Sequence, residues 1–407
     1  MSVRIGFGLA TNPFESAREL WRWVDLLEAG GVDSLWQTDR LISKQPMLES
    51  MSFMAALAGR TERLKFGMNV VVLPFRDPLV LAKQCATIDY LSGGRLLPAF
   101  GVGRATAAEF AGAARSPKAR GAWTDEVLQF LAKVWSEDDV TFEGEQITYR
   151  NVTIEPKPVQ AALPIWIGGI SEAAIRRTAR YGTGWLSGVQ APAQIKPAIE
   201  AIRERSAAAG RPLDADHYGA GFSYRFGSWD EPVVQRAAAG LSRVADAGDP
   251  RAMIAVGDTS DVIATIREYI SAGASKFVAR PLAETPNEVF AQTQRLIDEV
   301  LPVIHALDGA MESGGGSKVG IGPKSRAILA RLGIATIEEV EERGLVETYL
   351  DVIDLGDTGA TINFLWGLES ASTGIHWLEI PAERKAELRA EVERQQAQRG
   401  VKASTER

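Results

Sequence analysis

Histidine and cysteine are almost missing from this chain, which has three histidines and one cysteine in 407 residues. A single cysteine, Cys85, excludes an intramolecular disulfide and a cysteine-built metal cluster. Its apolar helical setting reads as a core thiol. His217, His305 and His376 have no neighbour at metal-ligand spacing, so no metal is expected and histidine-led acid–base chemistry is poorly supplied. No apolar run is long enough to cross a membrane. The start, MSVRIGFGLA, passes straight into a strand pattern without the apolar core of a signal peptide, so a cytoplasmic protein with no membrane partner is expected. An excess of positive charge is missing too: 45 Lys+Arg stand against 52 Asp+Glu, a net of −7. That balance argues against a nucleic-acid role. So little reactive side-chain chemistry points to a cofactor that brings its own.

What is present is a repeating rhythm of short buried strands, glycine turns and amphipathic helices. It is clearest in LSGGRLLPAFGVGR (91–104), where a helix stops at paired glycines, an apolar strand follows, and a glycine-rich loop ends on Arg104. The same unit recurs along the chain. Strands are expected at Val3–Leu9, Ser34–Gln37, Leu64–Val72, Leu96–Phe100, Pro164–Gly169, Gly184–Leu186, Tyr218–Phe226 and Lys276–Arg280. Helices lie between them, and a hairpin is inserted over Val140–Pro158. Eight such units predict an α/β fold, a (β/α)8 TIM barrel over residues 1–307. An open doubly wound sheet fits less well, because Gly6 and Gly8 lack the third glycine of a dinucleotide turn. Residues 308–318, rich in glycine and serine, read as a flexible linker. An all-helical domain follows over 319–398, and 399–407 reads as a disordered tail.

In such a barrel the chemistry stands at the carboxyl ends of the strands. Two strand ends, Gly103-Arg104 and Gly168-Gly169-Ile170-Ser171, combine backbone N–H groups with a cation or a helix start and suit a phosphate. Asp39 is the one strand-end acid that stands out. It either pairs with Arg40 or caps locally, or it meets a cofactor. Phe7, Trp36 and Trp185 either line a pocket for a flat ring or are core.

The blocks SLWQTDR, LKFGMNVVVLPFRDPLVLAKQCATIDYLSGGRLLPAFGVG, RGAWTDEVLQFL, VTIEPKPVQ and PIWIGG with SEAAIRRTARYGTGW resemble the luciferase-like monooxygenase superfamily, in that family's order. They are most similar to the branch that uses the deazaflavin coenzyme F420. The resemblance implies an oxidoreductase that exchanges hydride between F420 and a small organic substrate. It also implies a homodimer and a non-prolyl cis peptide near Asn69-Val70 behind the cofactor ring. Asp39 and Arg40 would then be catalytic. Asp39, Asn69, Val70, Gly103, Arg104, Thr106, Gly168, Gly169, Ile170 and Ser171 would hold the cofactor. Members with sugar-phosphate dehydrogenase activity carry histidine where Arg40 stands and glutamate where Thr106 stands, so the substrate is left open. Arg104 also matches the flavin-phosphate arginine of the FMN-using branch, which keeps an FMN-dependent monooxygenase as an alternative.

The second domain, from GIGPKSRAILARLGIATIEEVEERGLVETYL to HWLEIPAERKAELRAEV, resembles the TfoX C-terminal domain, a helix-hairpin-helix-like module. Its Gly320-Ile321-Gly322 turn is the element that would meet a phosphate in a DNA-binding hairpin. Residues 311–407 carry 12 Lys+Arg and 16 Asp+Glu, a net of −4, where counterion release needs a basic face. Protein contacts are therefore expected of this domain rather than nucleic acid. A second reading makes the whole chain a redox- or ligand-sensing regulator. Leu365, Trp366, Leu368, Trp377 and Leu378 read as the domain's core.

Overall fold

A computed structural model describes residues 2–242, 248–305, 323–356, 362–373 and 380–405. The chain forms two compact units, residues 1–305 and 306–407. The linker expected at 308–318, the Gly320–Gly322 turn, Trp377 and Leu378 lie outside the described residues.

The first unit is built on strands β1 (Arg4–Leu9), β2 (Ser34–Gln37), β3 (Lys65–Met68), β4 (Val71–Val72), β5 (Leu96–Leu97) and β6 (Ala99–Gly101). A hairpin, β7 (Val140–Glu143) and β8 (Thr148–Val152), is followed by β9 (Trp166–Gly168), β10 (Gly184–Val189), β11 (Tyr218–Phe226), β12 (Ile254–Gly257) and β13 (Lys276–Pro281). All pairings are parallel except in the hairpin, where Val140 faces Val152. β3 pairs with β5 and β4 pairs with β6, so β3–β4 is one barrel strand broken once and β5–β6 is its neighbour, also broken once. The first break is the cis peptide Asn69-Val70. The second is Pro98, which has no N–H to donate to a ladder, while its carbonyl accepts from Trp166 N–H at 3.0 Å. β13 then closes the ring on β1, with Arg4 opposite Lys276 and Phe7 opposite Ala279. The expected eight-stranded barrel is present, and β12 is an extra strand paired to the far end of β11.

Helices cover the outside for reasons visible in the chain. Ser16 Oγ accepts from Glu19 N–H at 3.3 Å and starts the helix Ala17–Ala29, which buries Leu20, Trp23, Val24 and Leu27. The helix Pro78–Ser92 stops at Gly93, whose φ of 64° suits glycine. The helix Arg120–Val134 begins a turn before the expected Thr124. The helix Pro232–Ser242 was not anticipated; it buries Val234 fully and packs Val233, Ala237, Ala238 and Leu241 partly against Ile254 and Val256. Inside the barrel, Trp36, Ala99, Trp166, Leu186 and Val278 pack together. Phe7 instead faces the outer layer, edge-on to Trp23 at 6.0 Å. Phe7, Trp36 and Trp185 are all fully buried core residues, not the lining of an open pocket.

The second unit holds the helices Pro323–Arg331, Ile337–Arg343, Leu345–Asp354, Ile362–Thr373 and Ala382–Thr405. Leu365, Trp366 and Leu368 lie in its core beside Val340, Leu350 and Val352, as read from the sequence. Against the expected tail at 399–407, the last helix runs on to Thr405. Arg399 on it reaches Asp351 at 2.8 Å and Asp354 at 2.6 Å, which ties that turn to the preceding helices.

Candidate active site

The carboxyl ends of the parallel strands gather at one mouth, and β2, the broken strand β3–β4, β6 and β9 form an arc there. Asp39 follows β2. Its side chain is buried, with Oδ1 accepting from Arg76 Nη2 at 2.7 Å and from Ser50 Oγ at 3.0 Å. Oδ2 accepts from Val72 N–H at 3.2 Å. The acid therefore clamps the residues just past the cis peptide. Its partner is Arg76 and not Arg40, which is exposed and makes no hydrogen bond or ion pair among the described residues. Arg76 also reaches Glu49 at 2.7 Å. Burial alone would raise the Glu49 carboxyl, but bonds from Ser52, Arg76 and Met51 hold it below its ordinary value.

Asn69 and Val70 are half-buried at the bulge, and Asn69 N–H donates to the Gln37 carbonyl at 2.7 Å. The Val70 isopropyl group projects between two neighbouring strands that have no side chain to oppose it. A Cβ on Gly101 would lie 2.6 Å from Val70 Cγ2, and one on Gly168 would lie 2.6 Å from Val70 Cγ1. Real Cβ atoms do not approach so closely, so glycine at both positions is required by Val70. Gly103 lies beside Val72 in the same way, with a hypothetical Cβ 2.7 Å from Cγ1. Asp39, Val70, Val72, Gly101, Gly103 and Gly168 are thus one contiguous surface.

β6 pairs directly with β9 through Ala99–Trp166 and Phe100–Ile167, so the loops that leave them are neighbours. Arg104 and Thr106 are exposed on the first loop, without side-chain partners among the described residues. On the second, Gly169 takes a φ of 111° and its carbonyl accepts from Trp185 Nε1 at 2.8 Å. Ile170 is half-buried and Ser171 is exposed. Ser171 Oγ accepts from Ala174 N–H at 3.2 Å and caps the helix Glu172–Tyr181, as the sequence implied. The N–H groups of Glu172 and Ala173 meet no acceptor among the described residues, which leaves a helix start suited to an anion.

Two arginines of the mouth were given no role from sequence, although Arg280 was visible as a strand-end residue. Arg76 sits in a loop, PFRDP, whose contact with Asp39 depends on how strand three bends. Arg280 ends β13 and faces inward with Lys276 and Val278; a cation at every alternate residue but one of KFVAR was the available signal. One grouping corrects an expectation. Asp214, Asp216 and His217 bring ligand-type atoms within 4.8 Å of one another. They stand in the turn that enters β11, at the end of the barrel away from the mouth, and His217 Nδ1 contacts the Thr183 carbonyl at 2.8 Å. Cys85 is buried and its thiol is pushed well up by that burial, as suits an unreactive core residue.

The family profile of luciferase-like monooxygenases matches residues 2–242. The chain belongs to this family. The family is one of oxidoreductases, and the chain is an enzyme of that class. The profile of the TfoX C-terminal domain matches residues 320–392. The F420-dependent glucose-6-phosphate dehydrogenase of Rhodococcus erythropolis is 26% identical over 313 residues, covering 68% of this chain and 91% of its own. Among solved structures, an F420-dependent secondary alcohol dehydrogenase in complex with an F420–acetone adduct superposes with a TM-score of 0.64 at 19% identity, over 75% of this chain and 99% of its own. A type II Baeyer–Villiger monooxygenase from Pseudomonas putida, in complex with FMN, gives 0.61 at 18%, over 74% and 98%. At these identities the two structures show the fold.

Proposed function

We propose that this enzyme binds F420 at the barrel mouth and exchanges hydride between the deazaflavin and a small organic substrate. The observation that carries this is the similarity, over nearly the full length of the relative, to a protein named as F420-dependent. The residues present suit such a group. The arc from Asp39 to Gly168 offers a backbone surface with glycines where a ring must lie close. Arg104 and the start of the helix Glu172–Tyr181 offer charge and N–H groups for a phosphate.

In this reading F420 supplies the hydride chemistry, and the protein supplies position and electrostatics. Asp39 holds Val72 and Arg76, which fixes the bulge at Asn69-Val70 against which the ring rests. Gly103, Gly168, Gly169, Ile170 and Ser171 line the phosphate path, and Arg104 neutralises it. Arg40, exposed at the mouth, faces the substrate side, and Thr106 lies with Arg104 on the cofactor loop. FMN is the second reading, favoured by Arg104 and by the FMN-bound relative of the same fold. Anaerobic turnover with F420 across a panel of alcohols and aldehydes tests the choice. Substrate-dependent bleaching of F420 supports it; turnover that needs reduced FMN and oxygen supports the second reading.

We also propose that the barrel forms a homodimer. Val80 and Leu91, three turns apart on the helix Pro78–Ser92, are 56% and 58% exposed, and Tyr90 beside them is 57% exposed. Exposed apolar side chains at both ends of one helix are contacts that a partner copy would cover. For the helical unit we propose protein contacts, because Arg343, Arg384 and Arg399 are each paired with a carboxylate of the same unit.

A further inference from the structure

Among the described residues of this barrel, buried and half-buried guanidinium groups meet acceptors, with one exception. Arg95 donates to the carbonyls of Ser92, Leu64, Ala58 and Thr61 at 2.6–3.0 Å. Arg177 is paired with Asp125 at 2.6 Å. Arg225, on β11, is held by Glu231 at 2.6 Å and Glu288 at 2.9 Å. Arg280 has none of this. Its Nη1 is buried with no hydrogen-bond partner, and no carboxylate pairs with it among the described residues. Burial with no compensating charge lowers its proton affinity to about 10.

The strand pattern shows where the group points. Lys276 and Val278, which precede it at alternate positions, stand inside the barrel among Trp36 and Trp166. Arg280 is the next inward residue and the last before the mouth. Both neighbouring strands make room for it. A Cβ on Gly8 of β1 would lie 3.2 Å from Arg280 Cγ and Nε, and one on Gly221 of β11 would lie 3.0 Å from Nη1. The arginine is therefore accommodated by glycine on two sides and matched by charge on neither.

An unpaired buried charge is costly, and a guanidinium presents forked donors that fit two oxygens of one anion. We propose that Arg280 anchors an oxyanion of the substrate, a carboxylate or a phosphate, at the floor of the barrel mouth. This rests on the reading of the mouth as the substrate site and narrows the substrate to an organic acid or a phosphate ester. The cofactor's own anionic groups are the other source of the same chemistry, and the experiment separates the two.

The full-length protein is titrated with sodium benzoate and with inorganic phosphate, with sodium chloride at matched ionic strength as the control. Thermal midpoint and calorimetric binding are read for the wild type, Arg280→Met and Arg280→Lys, each with and without saturating F420. The expected result has four parts. One of the two anions raises the wild-type midpoint beyond the chloride control. Arg280→Met binds that anion at least ten-fold more weakly while its own ligand-free midpoint rises, since an unmatched charge has gone. Arg280→Lys recovers part of the affinity. F420 leaves anion binding in place. An arginine that merely supports the fold would instead lower the midpoint when replaced. The proposal is overturned if neither anion binds the wild type, if Arg280→Met binds as the wild type does, or if F420 displaces the anion. Because F420 affinity is measured in the same samples, a wild type that binds F420 but no anion defeats this proposal alone. A wild type that binds no F420 defeats the reading beneath it.

Discussion

Arg76 Nη2 lies 2.7 Å from Asp39 Oδ1, and through this pair the end of strand two grips the residues that follow the bulge of strand three. The carboxylate is buried, and its other oxygen accepts from Val72 N–H. Asp39 thus shapes the barrel mouth from behind, with both oxygens already engaged. Replacing Asp39 by asparagine turns an amide donor toward existing donors. A loss of about 2–4 kcal/mol is expected, read as a lower urea midpoint of the barrel, with weaker F420 binding. Arg76→Ala, which strands the carboxylate, should cost a similar amount, and the double variant should cost less than the two losses added.

Val70 and Gly168 give a second expectation. Alanine at 168 puts a methyl group 2.6 Å from Val70 Cγ1, so Gly168→Ala should destabilise by about 1–3 kcal/mol through overpacking and should weaken cofactor binding. Shortening Val70 to alanine in the same chain should restore most of both. Denaturant midpoints and F420 affinity on the four members of this cycle check it. A double variant as poor as the single one would show that the glycine serves something other than room for Val70.

How much of this was legible in advance depended on the range of each interaction. Eight strands and their order could be read because each strand–helix unit carries its own periodicity and its own stops, such as Ser16 and Gly93. Ser171 was recognisable as a cap because capping is a contact within one turn. Asp39 was located, but the adjacent Arg40 was the one partner the sequence offered beside a local cap or a cofactor. The true partner, Arg76, is 37 residues away and is delivered by the bend of strand three. Gly101 read as a loop glycine and Gly168 as a phosphate position, and the reach of Val70 across two strands gives both a steric reason that no local pattern shows. Arg280 was visible as a strand-end cation, but its lack of any counter-charge is a property of the closed barrel.

A pH dependence follows from Asp33, whose Oδ2 lies 2.5 Å from the buried Lys276 Nζ at the amino end of the barrel. Burial alone would raise this carboxyl, but Lys276 and Lys65, with hydrogen bonds from Lys276 and Ser34, together lower it to about 2. A carboxyl depressed in the folded state adds stability that is complete above its unfolded value near 4 and is lost as the pH falls through that value toward 2. The contribution is about 2 kcal/mol. Between pH 5 and pH 3 the wild-type urea midpoint should therefore fall more steeply than that of Asp33→Asn, which is less stable at pH 6.

The helical unit should not retain duplex DNA. The pairing of Arg343, Arg384 and Arg399 with carboxylates and the net acidity of residues 311–407 both work against counterion release. A gel-shift titration of the full chain at about 100 mM salt should show no complex. A shift that disappears on raising the salt and on changing Lys324 and Arg326 to alanine would support the regulatory reading of this chain.

The central claim, a deazaflavin at the barrel mouth, is tested most directly by titrating the purified protein with F420 and with FMN in parallel and following quenching of each cofactor's fluorescence. Saturable F420 binding, at least ten-fold tighter than FMN and weakened by Gly168→Ala, is the result this account predicts. Tight FMN binding with no response to F420 would contradict it.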